Sequence, residues 1–284
     1  MECLFVMSIS TLSRISRDDL DRCCMRLLRR GRGTRPELRL LEIDGRRVVT
    51  KDYAACWPLF RVVVGRWLAA KESANYRRLA GISGIPEWIG VVDPYCFAVG
   101  YIEGQSCGEM SPGDLGDPGF FLRLHDLVER LHGAGLVHCD LRYRSNILVS
   151  PTGEPYVIDL VAAFPRRGCF GTIRRWLFRL FSDADFQAIA KLKAELSPEL
   201  LTRADLELLS RVRPIERLAR AARAVLCVLF GIFVPRTARR RIGRPRKFEQ
   251  YRGRWRLQTR QERVRLARTQ QRTRSAAASR EQHS

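Results

Sequence analysis

The side chains with the most chemical potential lie between positions 131 and 160. They read Leu131-His-Gly-Ala-Gly-Leu-Val-His138-Cys-Asp140-Leu-Arg142-Tyr-Arg-Ser-Asn146-Ile-Leu-Val, followed by Pro155-Tyr-Val-Ile-Asp159-Leu160. A helical stretch leads into His-x-Asp. An Asn precedes a short apolar strand, and a second Asp ends another strand thirteen residues later. A carboxylate held beside a reacting hydroxyl can accept or orient its proton. A carboxylate and an amide oxygen together suit a hard divalent cation. Taken singly these residues mean little, since His-x-Asp arises by chance and an Asp that ends a strand often only caps a turn. Their joint order between apolar strands is the signal.

The surrounding elements must position them. Leu38–Ile43, Asp44-Gly45 and Arg46–Lys51 read as a hairpin, with Asp-Gly supplying the positive φ of a tight turn. Trp67–Leu79 has a helical pattern with Gly81 as its stop. Ile89–Val92 and Cys96–Ile102 are short strands around Asp93-Pro94. Phe120, Phe121, Leu124, Leu127, Val128 and Leu131 share one helical face that ends at Gly133. Leu136–His138, Ile147–Val149 and Tyr156–Leu160 are short β segments, and from Ile173 the pattern is helical. Strands with one helix, then mainly helices, predict an α+β protein with a small β-rich lobe and a larger helical one.

The 131–160 stretch resembles the catalytic loop and metal-binding aspartate of the protein-kinase-like superfamily, and within it the RIO-type kinases and the lipopolysaccharide-core (Kdo or heptose) sugar kinases, which share His-x-Asp-Leu, Asn-Ile-Leu and a following Ile-Asp. The resemblance spans about Arg29–Arg213. It implies a two-lobed fold with an N-terminal extension at 1–28, an N-lobe at 29–104, a C-lobe at 105–234 and a tail at 235–284. It also implies ATP and Mg²⁺ as cofactors, since phosphoryl transfer needs an in-line nucleophile and countercharge more than covalent help. Asp140 would then take the acceptor's proton, and Asn146 and Asp159 would hold Mg²⁺. Arg142 would reach the γ-phosphate with a permanent charge. Lys51, ending Val48-Val-Thr-Lys51, would pair the α- and β-phosphates and be held by Glu72, 21 residues on. His138 would brace the loop, and Asp183 or Asp185 would cap a helix or brace the same loop. Gly81-Ile-Ser-Gly-Ile-Pro86 resembles the stretch before the fourth strand. Gly100-Tyr101-Ile102-Glu-Gly104 resembles the hinge, with Tyr101 and Ile102 at the adenine. Gly31 and Gly33 in Arg30-Gly-Arg-Gly-Thr34 stand where a phosphate-covering loop belongs; a plain basic turn is the other reading.

Departures from the pattern bear on its details. Five residues separate Asp140 from Asn146 where the family has four, so either the loop bulges or Ser145 takes part of the role of Asn146. Asp159-Leu-Val161 lacks the glycine that follows the aspartate, and no Ala-Pro-Glu comes after it. The segment after Asp159 is thus expected to be short, without control by its phosphorylation. Three functions remain in view: an atypical serine/threonine protein kinase, a kinase of lipid-linked sugar, and a non-catalytic module that binds ATP without turnover and recruits a nucleic acid or a membrane through its tail.

The 284 residues carry 51 Lys or Arg against 30 Asp or Glu, a net +21 with 45% hydrophobic residues, which excludes a chain disordered throughout. Most of that charge is in 235–284, which has 17 Lys or Arg and three Glu. Such a tail buries too little apolar area to order itself. It suits an anionic membrane or a nucleic acid, and Gly243-Arg-Pro245 resembles the core of a minor-groove hook. The apolar run Ala224–Val234 is eleven residues long, against about 20 for a span, and reads as a buried helix or an interfacial anchor. Nine cysteines without a C-x-x-C pair predict reduced thiols, and Cys3–Met7 is too short for a secretory core. The expected place is the cytoplasm, with a peripheral position on the inner face of the membrane as the variant the tail allows.

Overall fold

The computed structural model describes residues 15–115, 117–166, 168 and 171–210. The Ala224–Val234 run, the 235–284 tail and the Cys3–Met7 run lie outside the described residues. The order begins with α1 (Asp19–Arg22), β1 (Cys24–Arg29), β2 (Glu37–Ile43) and β3 (Arg46–Asp52). A helical run follows, made of α2 (Pro58–Phe60), a π-helical turn (Arg61–Gly65) and α3 (Arg66–Arg78), then β4 (Trp88–Asp93) and β5 (Cys96–Gly100). The sheet is antiparallel in the order β1-β2-β3-β5-β4. Its first strand and α1 fall within or across the stretch 1–28 set apart above as an extension.

The β2–β3 hairpin forms as its turn residues demand, with positive φ at both Asp44 and Gly45. Alternation then assigns the two faces of β3. Val48 is buried with Leu20, Leu41, Cys96 and Ala98 in a small cluster under α1. Asp52, two pleats on, pairs with Arg17, which also reaches Asp93 at 3.0 Å. Val49 and Lys51 point to the opposite face, where Val49 joins the main core and α3 packs on the sheet. The helical run starts earlier than the sequence pattern indicates. Val62-Val63-Val64 are β-branched and poor helix formers, yet they form the π-helical turn that feeds α3.

The second part contains β6 (Gln105–Ser106), α4 (Phe120–Gly133), β7 (Leu136–Val137), β8 (Ile147–Val149), β9 (Pro155–Val157), β10 (Phe164–Pro165), α5 (Gly171–Leu196) and α6 (Arg203–Ser210). The apolar stripe of α4 is buried throughout: Phe120, Phe121, Leu124, Leu127, Val128 and Leu131. Each such side chain contributes roughly 1.5–3 kcal/mol on burial. α5 packs on α4, and β6-β8-β9 form a small antiparallel sheet beside them. Gly84 shows why the parts fit closely. A Cβ there would meet Leu127 Cδ2 at 2.6 Å and the Pro155 carbonyl at 2.9 Å, at a φ of +92°. Its carbonyl accepts from Val157 N at 2.8 Å.

Among the described residues no helix is long and apolar enough to cross a membrane. Among the described residues Cys23, Cys24, Cys56, Cys96, Cys107 and Cys139 are thiols outside any disulfide.

Candidate functional site

Lys51 leaves β3 on the face that α3 covers. Its Nζ lies 2.8 Å from Oε1 and 2.7 Å from Oε2 of Glu72, and 2.9 Å from Oδ1 of Asp159. One ammonium thus joins a strand, a helix and the end of the segment after β9. Tyr53 adds its hydroxyl to Glu72 Oε2 at 3.4 Å. Burial pushes Glu72 up to about 7, against the pull of Lys51. Burial also works against the Lys51 ammonium, but Glu72, Tyr53 and Asp159 hold it well above the ordinary lysine value. Asp159 resists its own burial because Lys51 sits beside it; Lys51 and more distant Arg29 keep it below the ordinary carboxylate value. With Asp159 ionised, Lys51 stays charged whichever form Glu72 takes.

Asp159 adopts the left-handed conformation, φ 66° and ψ 67°, which costs a non-glycine residue about a kcal/mol or more unless its surroundings enforce it. The enforcement comes from one helix. Tyr76 Oη accepts from Asp159 N at 3.0 Å, Asn75 Nδ2 donates to the Leu160 carbonyl at 3.0 Å, and Lys71 Nζ donates to the Val161 carbonyl at 2.8 Å. Sequence reasoning passed over all three. Their signal was available: Asn75 and Tyr76 stand three and four residues after Glu72, on the same side of α3.

The loop that carries His138 and Asp140 is held from the other side. Asp185, in the middle of α5, is 1% exposed. Its Oδ2 accepts from His138 N at 2.7 Å and its Oδ1 from Cys139 N at 3.0 Å. His132 Nε2 stands 3.1 Å from the same Oδ2, and Ser182 Oγ lies 2.8 Å from His132 Nδ1. Of the two brace candidates, Asp185 makes the contact. His138 bridges as expected: Nε2 donates to the Ile158 carbonyl at 3.0 Å, and Nδ1 accepts from Asp140 N at 3.2 Å.

The extra residue between Asp140 and Asn146 is absorbed by a 3₁₀ turn over Arg144–Asn146. Arg144 anchors that turn through the carbonyls of Cys107 and Met110. Asn146, not Ser145, reaches back, its Nδ2 donating to the Asp140 carbonyl at 3.1 Å. That leaves Oδ1 as its acceptor, with Ser145 Oγ 3.5 Å away. Arg142 Nε lies 3.5 Å from Asp140 Oδ1, and its guanidinium rests over the Tyr143 ring, 4.7 Å from the centroid.

Gly31 and Gly33 form the turn between β1 and β2, closed by reciprocal Arg32–Arg35 hydrogen bonds of 3.1 and 3.0 Å. This turn leans on the start of the helical run. A Cβ at Gly31 would meet Ala55 Cβ at 2.5 Å, and the Gly33 carbonyl accepts from Trp57 N at 2.9 Å. Tyr101 and Ile102 follow β5 and are half-buried; Tyr101 N donates to the Arg47 carbonyl at 3.0 Å, and the Arg47 guanidinium covers its ring.

No family model and no curated protein matches the sequence. Solved structures similar to this chain include the Rio2 kinase from Chaetomium thermophilum, at 17% identity and a TM-score of 0.45 over 70% of this chain and 72% of that one. The ADP/Mg²⁺-phosphoaspartate complex of that kinase gives 16% and 0.44, over 70% and 69%. The fold is of the α+β class, an antiparallel sheet followed by a mainly helical part. A five-stranded antiparallel sheet carries one long helix whose carboxylate meets the strand lysine, and the helical part carries the two loops with Asp140 and Asp159.

Proposed function

We propose that the protein is an ATP- and Mg²⁺-dependent phosphotransferase acting on a hydroxyl, in the manner of an atypical serine/threonine protein kinase. The observation that carries this reading is the single ammonium of Lys51 held between Glu72 and Asp159, on the face of the sheet toward which α3 packs. The donor set suits the metal: an Asp159 carboxylate and an Asn146 Oδ1 are hard oxygens of the kind Mg²⁺ takes. When bound, Mg²⁺ would neutralise charge on the transferring phosphoryl group. Lys51 would bind phosphate oxygens while Glu72 keeps it oriented. Tyr101 and Ile102 would meet the adenine at the connection between the lobes. Asp140, with its backbone fixed through His138, would orient the acceptor hydroxyl and take its proton. Arg142, now 3.5 Å from Asp140, would supply a fixed positive charge beside the acceptor. Gly31 and Gly33 would contribute backbone to the phosphate side of the cleft.

A lipid-linked sugar is the second acceptor class. The observation favouring it is the short path from Asp159 to the start of α5 at Gly171, which leaves little chain for a peptide-docking platform. γ-Labelled ATP incubated with the pure protein and a cell-envelope extract separates the cases. Label in protein supports the first acceptor and label in lipid-linked sugar the second. Absence of any label, including on the protein itself, overturns transfer in favour of a nucleotide-binding module. The 235–284 tail, with its net +14, would bring the enzyme to an anionic membrane or a nucleic acid at the cytoplasmic side; loss of that binding at raised salt is its test.

A further inference from the structure

The helical run from Pro58 to Arg78 has an exposed face that the phosphotransfer reading leaves unused. Its exposed side chains are Ala55, Trp57, Pro58, Leu59, Val62, Val63, Arg66, Trp67, Ala70 and Ala74, recurring at helical spacing. Trp57 is 66% exposed, Leu59 79%, Val62 62% and Val63 65%. Soluble proteins rarely leave apolar side chains of this size together in water without a use for them. Charge on the face has one sign. Between Tyr53 and Pro86 the single acidic residue is Glu72, which is buried against Lys51, whereas Arg66 is exposed and Arg61 half-buried on the run itself.

We propose that this face, from Trp57 to Trp67, docks on an anionic lipid surface. The chemistry is that of an interfacial helix: aliphatic and tryptophan side chains enter the headgroup boundary while arginines stay among the phosphates. A second copy of the chain fits poorly, because it would set arginine against arginine. The proposal is independent of the phosphotransfer reading and concerns a different surface from the 235–284 tail.

The full chain is sedimented with phosphatidylcholine vesicles containing about 30% phosphatidylglycerol, first at low salt and then at about 0.5 M NaCl, where surface charge is screened within a few ångströms. Tail attraction disappears at high salt, and the apolar contact persists. Replacing both Val62 and Val63 by Glu is expected to lower the remaining partitioning about tenfold or more, with an unchanged melting temperature because both positions are exposed. As an independent measurement, vesicles with brominated acyl chains should quench tryptophan emission of the unaltered chain, and less so in Trp57→Phe. Equal sedimentation of the double variant, or no difference in quenching, overturns the proposal. So does a polyglutamate complex that the double variant loses while its vesicle binding stays intact; that result assigns the face to an acidic protein instead.

Discussion

Glu72 and Asp185 are both carboxylates with about one per cent of their surface exposed, one on α3 and the other on α5, and they are neutralised in opposite ways. Glu72 faces a mobile-headed point charge, Lys51, which it shares with Asp159. Asp185 faces the backbone N–H groups of His138 and Cys139, which cannot move without breaking the loop, and the ring of His132 on α4. An ammonium can rotate to a new anion and still keep one old partner. Backbone donors cannot. The first arrangement therefore suits a place where a phosphate must enter, and the second a place where geometry must stay fixed. Both cost desolvation, and each is tolerable only while its partners remain.

The comparison can be broken by substitution. Asp159→Ala is expected to abolish Mg-dependent turnover with a modest loss of stability, since Glu72 still pairs Lys51, and Asp140→Asn to reduce turnover by roughly 10²–10⁴-fold with little change in thermal stability. Labelled-phosphate transfer and a melting curve on the same samples check this; a collapse in stability for Asp159→Ala would make the Lys51 cluster a structural brace after all. Asp185→Ala should do the reverse, leaving three buried donors unsatisfied and costing roughly 3–5 kcal/mol of stability. A shifted urea midpoint is the expected result, and an unaltered one would remove Asp185 as the brace.

A smaller effect concerns acid–base linkage. Glu72 rises from 4.5 to about 7 on folding, so between those values the folded chain holds a proton that the unfolded chain has released. Stability from this group therefore falls as pH rises through that window, by an amount on the order of 1–3 kcal/mol. Asp159 acts in the opposite sense and at lower pH: its contribution is present above about 3.8 and is lost as pH falls through its depressed value. Glu72→Gln should flatten the upper slope in urea midpoints measured across the window and leave the acid limb alone; an unchanged upper slope would assign it elsewhere. The smallest expected effect is chemical. Burial pushes Cys56 and Cys107 up to about 11, so both remain thiols at pH 8 and should alkylate slowly until the chain unfolds. Cys107, whose carbonyl Arg144 holds, should quicken in Asp185→Ala while Cys56 does not. Mass spectrometry of the alkylated peptides reads both.

Much of this was legible in sequence wherever the determinant is local. Asp44-Gly45 fixes its hairpin, and the apolar stripe of α4 needs only its own period. The proximity of His138, Asp140 and Asn146 was legible because their spacing is set within one short loop. The hydrogen bond from Asn146 to the Asp140 carbonyl was not, because it depends on a 3₁₀ turn that Arg144 anchors to residues more than 30 positions away. β1 escaped notice for another reason: Met25, Leu27 and Leu28 are exposed beside exposed arginines, so no alternation marks a buried face. The triple valine before α3 argues for a strand on propensity, and the tertiary setting makes it helical instead. Asp185 and Tyr76 act on partners 46 and 83 residues distant, a kind of contact that no local window contains.

The grip of Lys71, Asn75 and Tyr76 on residues 159–161 has a mechanical meaning. α3 carries Glu72 on the same turns that clamp the backbone of Asp159, so the partner of Lys51 and the carboxylate opposite it ride on one rod. A tilt of that rod cannot retune one without the other. Any displacement of α3 would therefore be felt at Lys51 and at Asp159 together, and the exposed start of that helix lies beside the tryptophan-flanked face described above.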